Sequence, residues 1–587
     1  LKQFLITVAG VMVGLVLFLV VAPIVLITML TASMTDAPAV PTHVVLSLDL
    51  RSPLSDQSPT NPFAAFSGQP SLLDVLARIE AARDDDRVRG IYVRAATDVM
   101  PAAQAEEIRA ALQTFRSTGK FVVAHIQADG VRLSMPGYMA VADADQVWLQ
   151  ESSEFMPMGL SSETTFFAGT LQRYHLQAQF ETREEFKSAA AGLTQRGFTP
   201  AHREEMTSLM GSLYTQMLAN IAADRGISAD QARAAIEATP FTAQHARELH
   251  LVDQLGRPED AERAALARAD EDNAEILDFA EYRPSPRSSG PVIAVVQGEG
   301  AIVSGPEQHG LFNEESVMNS DRIAEALLDA ADDDDVRAIV FRVSSPGGSV
   351  VASDQILHAL RTAQARGKKV IVSMGEVAAS GGYYVSAYAD EIIASGTTIT
   401  GSIGVLGGKL VIGPAMEHYL SSDTETLQVG SPHVTMFSSD EPFTPAGRAA
   451  FAGFIDRAYM QFLGLVAEGR GMTREQVREV ARGRVWTGQQ ALERHLVDRL
   501  GGFSVAVARA KELAGIDADD RVQLRFYPLP DGPFEQLERL FGVSSESAEA
   551  LARISAVMSD PRFQEAARAM ERHDATVRAE APDVTVR

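Results

Sequence analysis

The chain contains no cysteine. That excludes disulfides, thiolate zinc sites and a cysteine nucleophile, and it fits either side of a membrane. Lysine is nearly as scarce. Of 52 basic residues only seven are lysine: Lys2, Lys120, Lys187, Lys368, Lys369, Lys409 and Lys511. The rest are arginines, whose guanidinium keeps its proton in a protein, so few amines are available as a general base. Excess positive charge is missing too. The formal net charge of −25 leaves nothing to neutralise phosphates and excludes a nucleic-acid partner. The 12 histidines are scattered and none clusters at ligand spacing, so no metal site is expected.

What is present begins with a long apolar run. From Phe4 to Leu30 the sequence carries no charge, which is long enough to span a bilayer as a helix and too long for a cleavable signal peptide. Lys2 precedes the run and Asp36 is the first charge after it. Residues 4–30 therefore read as a single-pass anchor in a lipid bilayer, with the N-terminus cytoplasmic and the remainder outside.

The remainder is duplicated. DDDRVRGIYVRA at 84–95 returns as DDDDVRAIVFRV at 332–343, and HLVDQLG at 250–256 returns as HLVDRLG at 495–501. GISADQARAAIE at 226–237 returns as GMTREQVREVAR at 471–482, and GFTP at 197–200 as PFTP at 442–445. The last three pairs share an offset of 245 residues and the first has 248. The expected organisation is an anchor at 4–30, repeats at 42–280 and 291–516, a Pro- and Ser-rich linker at 281–290, and an extension at 517–587. His250 and His495 fall at equivalent places, which marks them as structural. Within the second repeat, apolar strands are expected at 292–297, 337–343, 368–374 and 391–395. Helices at 320–332 and 353–365, each opening on a serine cap, alternate with them. That alternation predicts an α/β fold with a covered, largely parallel sheet in each of two tandem domains.

The copies differ in a reciprocal way. At the 245 offset Ser380 in ASGGYY faces Met135 in SMPGYM, with Ser134 one place away, and SPGGS at 345–349 has no Gly-Gly counterpart. Conversely Lys187, in ETREEFKSAAAGL, faces Pro432. The first copy has the lysine and the second the serine, as expected if one site is assembled from both. A serine hydroxyl needs an adjacent base, and a Ser-Lys pair is one solution. The amine must reach its neutral form, which from a free value near 10.4 needs about 3 units of lowering, roughly 4 kcal/mol. Small apolar neighbours in SAAAGL would favour that, provided Glu184 and Glu185 face solvent. Backbone N–H groups of Gly381, after the nucleophile, and of Gly347 or Gly348 are the candidate oxyanion donors.

In this order, an apolar N-terminal span, FKSA, SPGGSV, ASGGYY and TGSIGV, the chain resembles the signal peptide peptidase A (protease IV) family in its long, double-domain form. The resemblance covers about residues 1–515. It implies two ClpP/crotonase-like domains, Ser380 as nucleophile, Lys187 as general base and Ser402 as the residue that orients the lysine. It further implies no cofactor, a homotetramer on the periplasmic face of a bacterial inner membrane, and signal peptides and other hydrophobic peptides as substrates. Two other readings stay open: a crotonase-like enzyme acting on CoA thioesters, and a non-proteolytic membrane scaffold.

Overall fold

A computed structural model of the chain describes residues 43–57, 70–97, 100–128, 133–269, 273–284, 290–305, 316–528 and 578–580. The apolar run at 4–30 lies outside them. Among the described residues no helix is long and apolar enough to cross a membrane.

The central strands are runs of apolar residues with no polar face. Phe121–Ile126 is buried at every position, as are Val292 to Val296 in the strand Val292–Glu299. Such strands need cover on both sides, and parallel pairing with helical crossovers supplies it. The first sheet is entirely parallel, in the order Gln254–Leu255, Gln146–Leu149, Phe121–Ile126, Val88–Arg94, Val44–Asp49, Glu275–Asp278. The second repeats that order: Arg499–Leu500, Glu391–Ala394, Lys369–Ala379, Val336–Ser345, Val292–Glu299, Gln523–Tyr527. The fold is therefore α/β, built twice. The second sheet reaches past residue 516, because its edge strand Gln523–Tyr527 lies where repeat similarity has already faded.

Helix starts differ from expectation. Asn319, not Ser320, occupies the N-cap of Ser320–Asp332. The next helix is Val350–Ala365, capped by Ser349, whose hydroxyl accepts from the Ala352 N–H at 3.3 Å. Ser353 is thus inside it. The cap falls to the serine that directly follows the Gly-Gly turn, where the backbone is still extended.

The copies also diverge just before the position of Ser380. His125 and Ser373 hold equivalent places in the two sheets, and the buried tyrosines Tyr138 and Tyr383 both donate to leucine carbonyls, Leu251 and Leu496. Thirteen residues separate the first pair and ten the second (138 − 125 against 383 − 373). The first copy thus carries three additional residues there, and its Ser134 hydroxyl is used as a helix cap, accepting from the Gly137 N–H at 3.1 Å.

A buried apolar cluster and a buried ion pair help to lock the repeats together. One buried apolar cluster combines Ile108, Leu112 and Phe115 of the first repeat with Ile293, Val340 and Ile371 of the second. Beside it Arg342, fully buried on a central strand of the second sheet, reaches two buried acids of the first repeat. Its Nε donates to Asp56 Oδ2 at 2.8 Å and its Nη2 to Glu107 Oε1 at 2.7 Å.

Candidate active site

The strand Gln177–Thr182 leaves the first repeat and pairs antiparallel with Leu406–Val411 of the second, Thr182 opposite Leu406 and Gln177 opposite Val411. This arm carries the chain across. Arg183 N–H then donates to Val405 O at 3.1 Å, Glu184 turns the backbone at φ 65°, and Phe186 N–H donates to Arg482 O at 3.3 Å. Lys187 follows, 3% exposed. Glu184 and Glu185 face solvent, and Glu185 is paired with Arg482.

From the second repeat, the strand Lys369–Ala379 ends at Ser380, where the chain turns sharply into the helix Gly381–Ser386. Ser380 is held at φ 55°, ψ −113°, a backbone region sparsely used by non-glycine residues. Its N–H donates to Gly401 O at 2.8 Å. Ser402 sits at φ 50°, and its N–H donates to Arg484 O at 2.7 Å. Both serines are fully buried.

These turns converge. Lys187 Nζ lies 2.8 Å from Ser380 Oγ and 3.1 Å from Ser402 Oγ, and donates to Ser402 O at 3.2 Å. All three residues come from one chain. Lys187 and Ser380, 193 residues apart, meet because the arm threads the second repeat. The glycines are equally close together. A Cβ on Gly381 would lie 3.0 Å from Gly348 N, so the Gly348 N–H sits beside the residue that follows Ser380. The Gly347 N–H is already given to Ser345 Oγ at 3.1 Å.

Room around the lysine is tight. Gly483, at φ 76°, has its backbone against Lys187, and a Cβ there would come within 2.7 Å of Lys187 Cβ and N. We expect Gly483→Ala to push Lys187 away from Ser380 and to lower kcat by on the order of 100-fold, with KM little changed, in steady-state peptide hydrolysis.

One buried carboxylate escaped the sequence comparison. Glu205 is fully buried on the helix Pro200–Arg225, and burial pushes its carboxyl up to about 7. The neighbourhood of SAAAGL is therefore not purely apolar. At the 245 offset Glu205 faces Ala450, but its exposed neighbour Glu204 likewise faces Ala449, so the comparison of copies does not single it out.

An extended segment lies beside the serine. Arg578–Glu580 pairs antiparallel with Gly347–Ser349, Gly347 opposite Glu580 and Gly348 opposite Ala579. On its other side Arg578 pairs antiparallel with Leu406. A peptide backbone thus fits between these two edges.

Residues 114–272 and 362–517 match Peptidase family S49. Protease 4 of Salmonella typhi is 33% identical over 462 residues, spanning 76% of this chain and 72% of that protein. The chloroplastic serine protease SPPA of Arabidopsis thaliana is 26% identical, spanning 82% of this chain and 70% of its own. A putative signal peptide peptidase SppA of Enterococcus faecium is 31% identical over 200 residues, 34% of this chain and 57% of that one. With a nucleophile-like serine, an amine against its hydroxyl and glycine N–H groups beside it, the conclusion follows that the chain belongs to peptidase family S49 and is a serine protease.

Proposed function

We propose that this protease works through a Ser-Lys dyad, Ser380 as nucleophile and Lys187 as general base, on hydrophobic peptides such as released signal peptides. The observation that carries the reading is the 2.8 Å separation of Lys187 Nζ and Ser380 Oγ. Neutral Lys187 takes the hydroxyl proton as Ser380 Oγ attacks the scissile carbonyl carbon. The resulting oxyanion is stabilised by the N–H groups of Gly381 and Gly348, each donor contributing about 2.7–4 kcal/mol. Gly348 is preferred to Gly347, whose N–H is engaged by Ser345. The Lys187 ammonium then protonates the leaving amine. Water, deprotonated by the same lysine, hydrolyses the acyl-enzyme. Ser402 holds the amine through its hydroxyl and carbonyl oxygens. The strand at 578–580 supports a substrate bound as an extended backbone between Gly347–Ser349 and Leu406–Val411.

In this reading each repeat is a ClpP/crotonase-like domain. The run at 4–30 anchors the chain in a bacterial inner membrane, and both repeats face the periplasm, assembled as a homotetramer. Because the chain lacks cysteine, one introduced cysteine at exposed Glu493 reports its side of the membrane to an impermeant thiol reagent. The activity test is cleavage of a synthetic signal peptide by the detergent-solubilised chain, followed by mass spectrometry. Cleavage by the native chain and none by Ser380→Ala is expected. Turnover of a CoA thioester with no peptide cleaved would overturn the reading in favour of a crotonase-type enzyme.

A further inference from the structure

Glu205 reaches the dyad from behind. Its Oε2 accepts from the Ser188 hydroxyl at 3.2 Å, and Ser188 is the residue after Lys187. Its Oε1 accepts from the Val485 N–H at 2.8 Å, and the preceding residue, Arg484, holds the Ser402 N–H through its carbonyl. One carboxylate thus ties the lysine-bearing turn of the first repeat to the segment of the second repeat that holds Ser402. The same helix is fastened to that segment again by Ser212 to Thr487 at 2.8 Å and by Ser208 to Gln490 at 3.2 Å. Among the described residues no other acid takes the place of Glu205 here: Glu204 points outward to Arg484, and Glu185 pairs with Arg482.

We propose that Glu205 is a positioning residue for the dyad, fixing Lys187 and Ser402 against Ser380 and, once ionised, adding a negative charge behind the amine. The inference rests on the Ser-Lys reading above. The charged groups facing the carboxylate are Lys187 from the arm and Arg484 from the 482–487 segment. A nearby anion favours the ammonium form of Lys187, so removing it lets the neutral amine appear at lower pH. Because the two groups interact, the acid limb of the pH–rate profile belongs to the pair.

Glu205→Gln keeps the shape, with one amide oxygen for the Val485 N–H and an amide N–H for Ser188, but removes the charge. It is expected to fold with an unchanged melting temperature and to shift the acid limb of kcat/KM to lower pH by about half a unit or more. Glu205→Ala loses both tethers and is expected to lower kcat at least about tenfold with KM within about twofold. An acid limb in its native place in Glu205→Gln would overturn the proposal even if activity fell, since a purely structural role leaves the limb unmoved. The dyad reading fails separately: it falls if Ser380→Ala retains activity, whatever Glu205 does.

Discussion

Ser380→Ala is expected to reduce kcat for peptide hydrolysis by about 10⁴-fold, and Lys187→Met by a similar factor. The two groups act as one unit, so the double variant should be no slower than either single one. Their side chains are 2.8 Å apart, and each is useless without the other: a hydroxyl with no base is a poor nucleophile, and a base with no hydroxyl has nothing to activate. Lys187→Arg sharpens the test. It keeps a cation in the pocket but cannot give up its proton, so it should be as inactive as Lys187→Met. Single-turnover kinetics on a fluorogenic peptide, with thermal unfolding as the folding control, measure all four. Full activity in any single variant, or multiplicative losses in the double one, would sink the dyad.

The second large effect is on stability. Arg342→Met should destabilise the chain by about 3–5 kcal/mol in a denaturant titration, because it strands two buried acids, Asp56 and Glu107, without their cation. The loss arises from the uncompensated charge rather than from the worth of the ion pair. Neutralising both acids in the same background, with Asp56→Asn and Glu107→Gln, should therefore recover much of it. Glu107 also accepts from the Phe503 N–H at 2.7 Å, which the amide oxygen of glutamine can still do. A loss under about 1 kcal/mol for Arg342→Met would show that this buried ion pair contributes little to holding the two repeats together.

The parts of this architecture that repeat were legible in the sequence. Apolar runs such as VIAVVQ mark the central strands, and the structure places them in two sheets of the same order. Comparing the copies led to Ser380 and Lys187, whose side chains the fold brings together. What the comparison could not reveal is how they meet. The arm strand Gln177–Thr182 and its partner Leu406–Val411 are far apart in sequence, with no connecting turn to betray their pairing. The Arg342 tie is hidden for the same reason: its partners are 286 and 235 residues away, and hydrophobic periodicity says nothing about them. Ser402 entered through resemblance, since its left-handed backbone is imposed by the hydrogen bond to Arg484 O and not by any local preference of serine. Glu205 was not legible in the comparison of copies, because Glu204 beside it also faces an alanine at the same offset and only the fold separates the buried acid from the exposed one.

The crossing arm also imposes an order in time. The lysine-bearing repeat is synthesised first, and Ser380 follows 193 residues later. Ser402 takes its place only when Arg484 arrives to hold it, and Gly483 to wall the lysine in. Until the chain has been made as far as Arg484, the amine and the hydroxyl lack the backbone that holds them together. In the proposed dyad, completing the fold is itself the step that assembles the site.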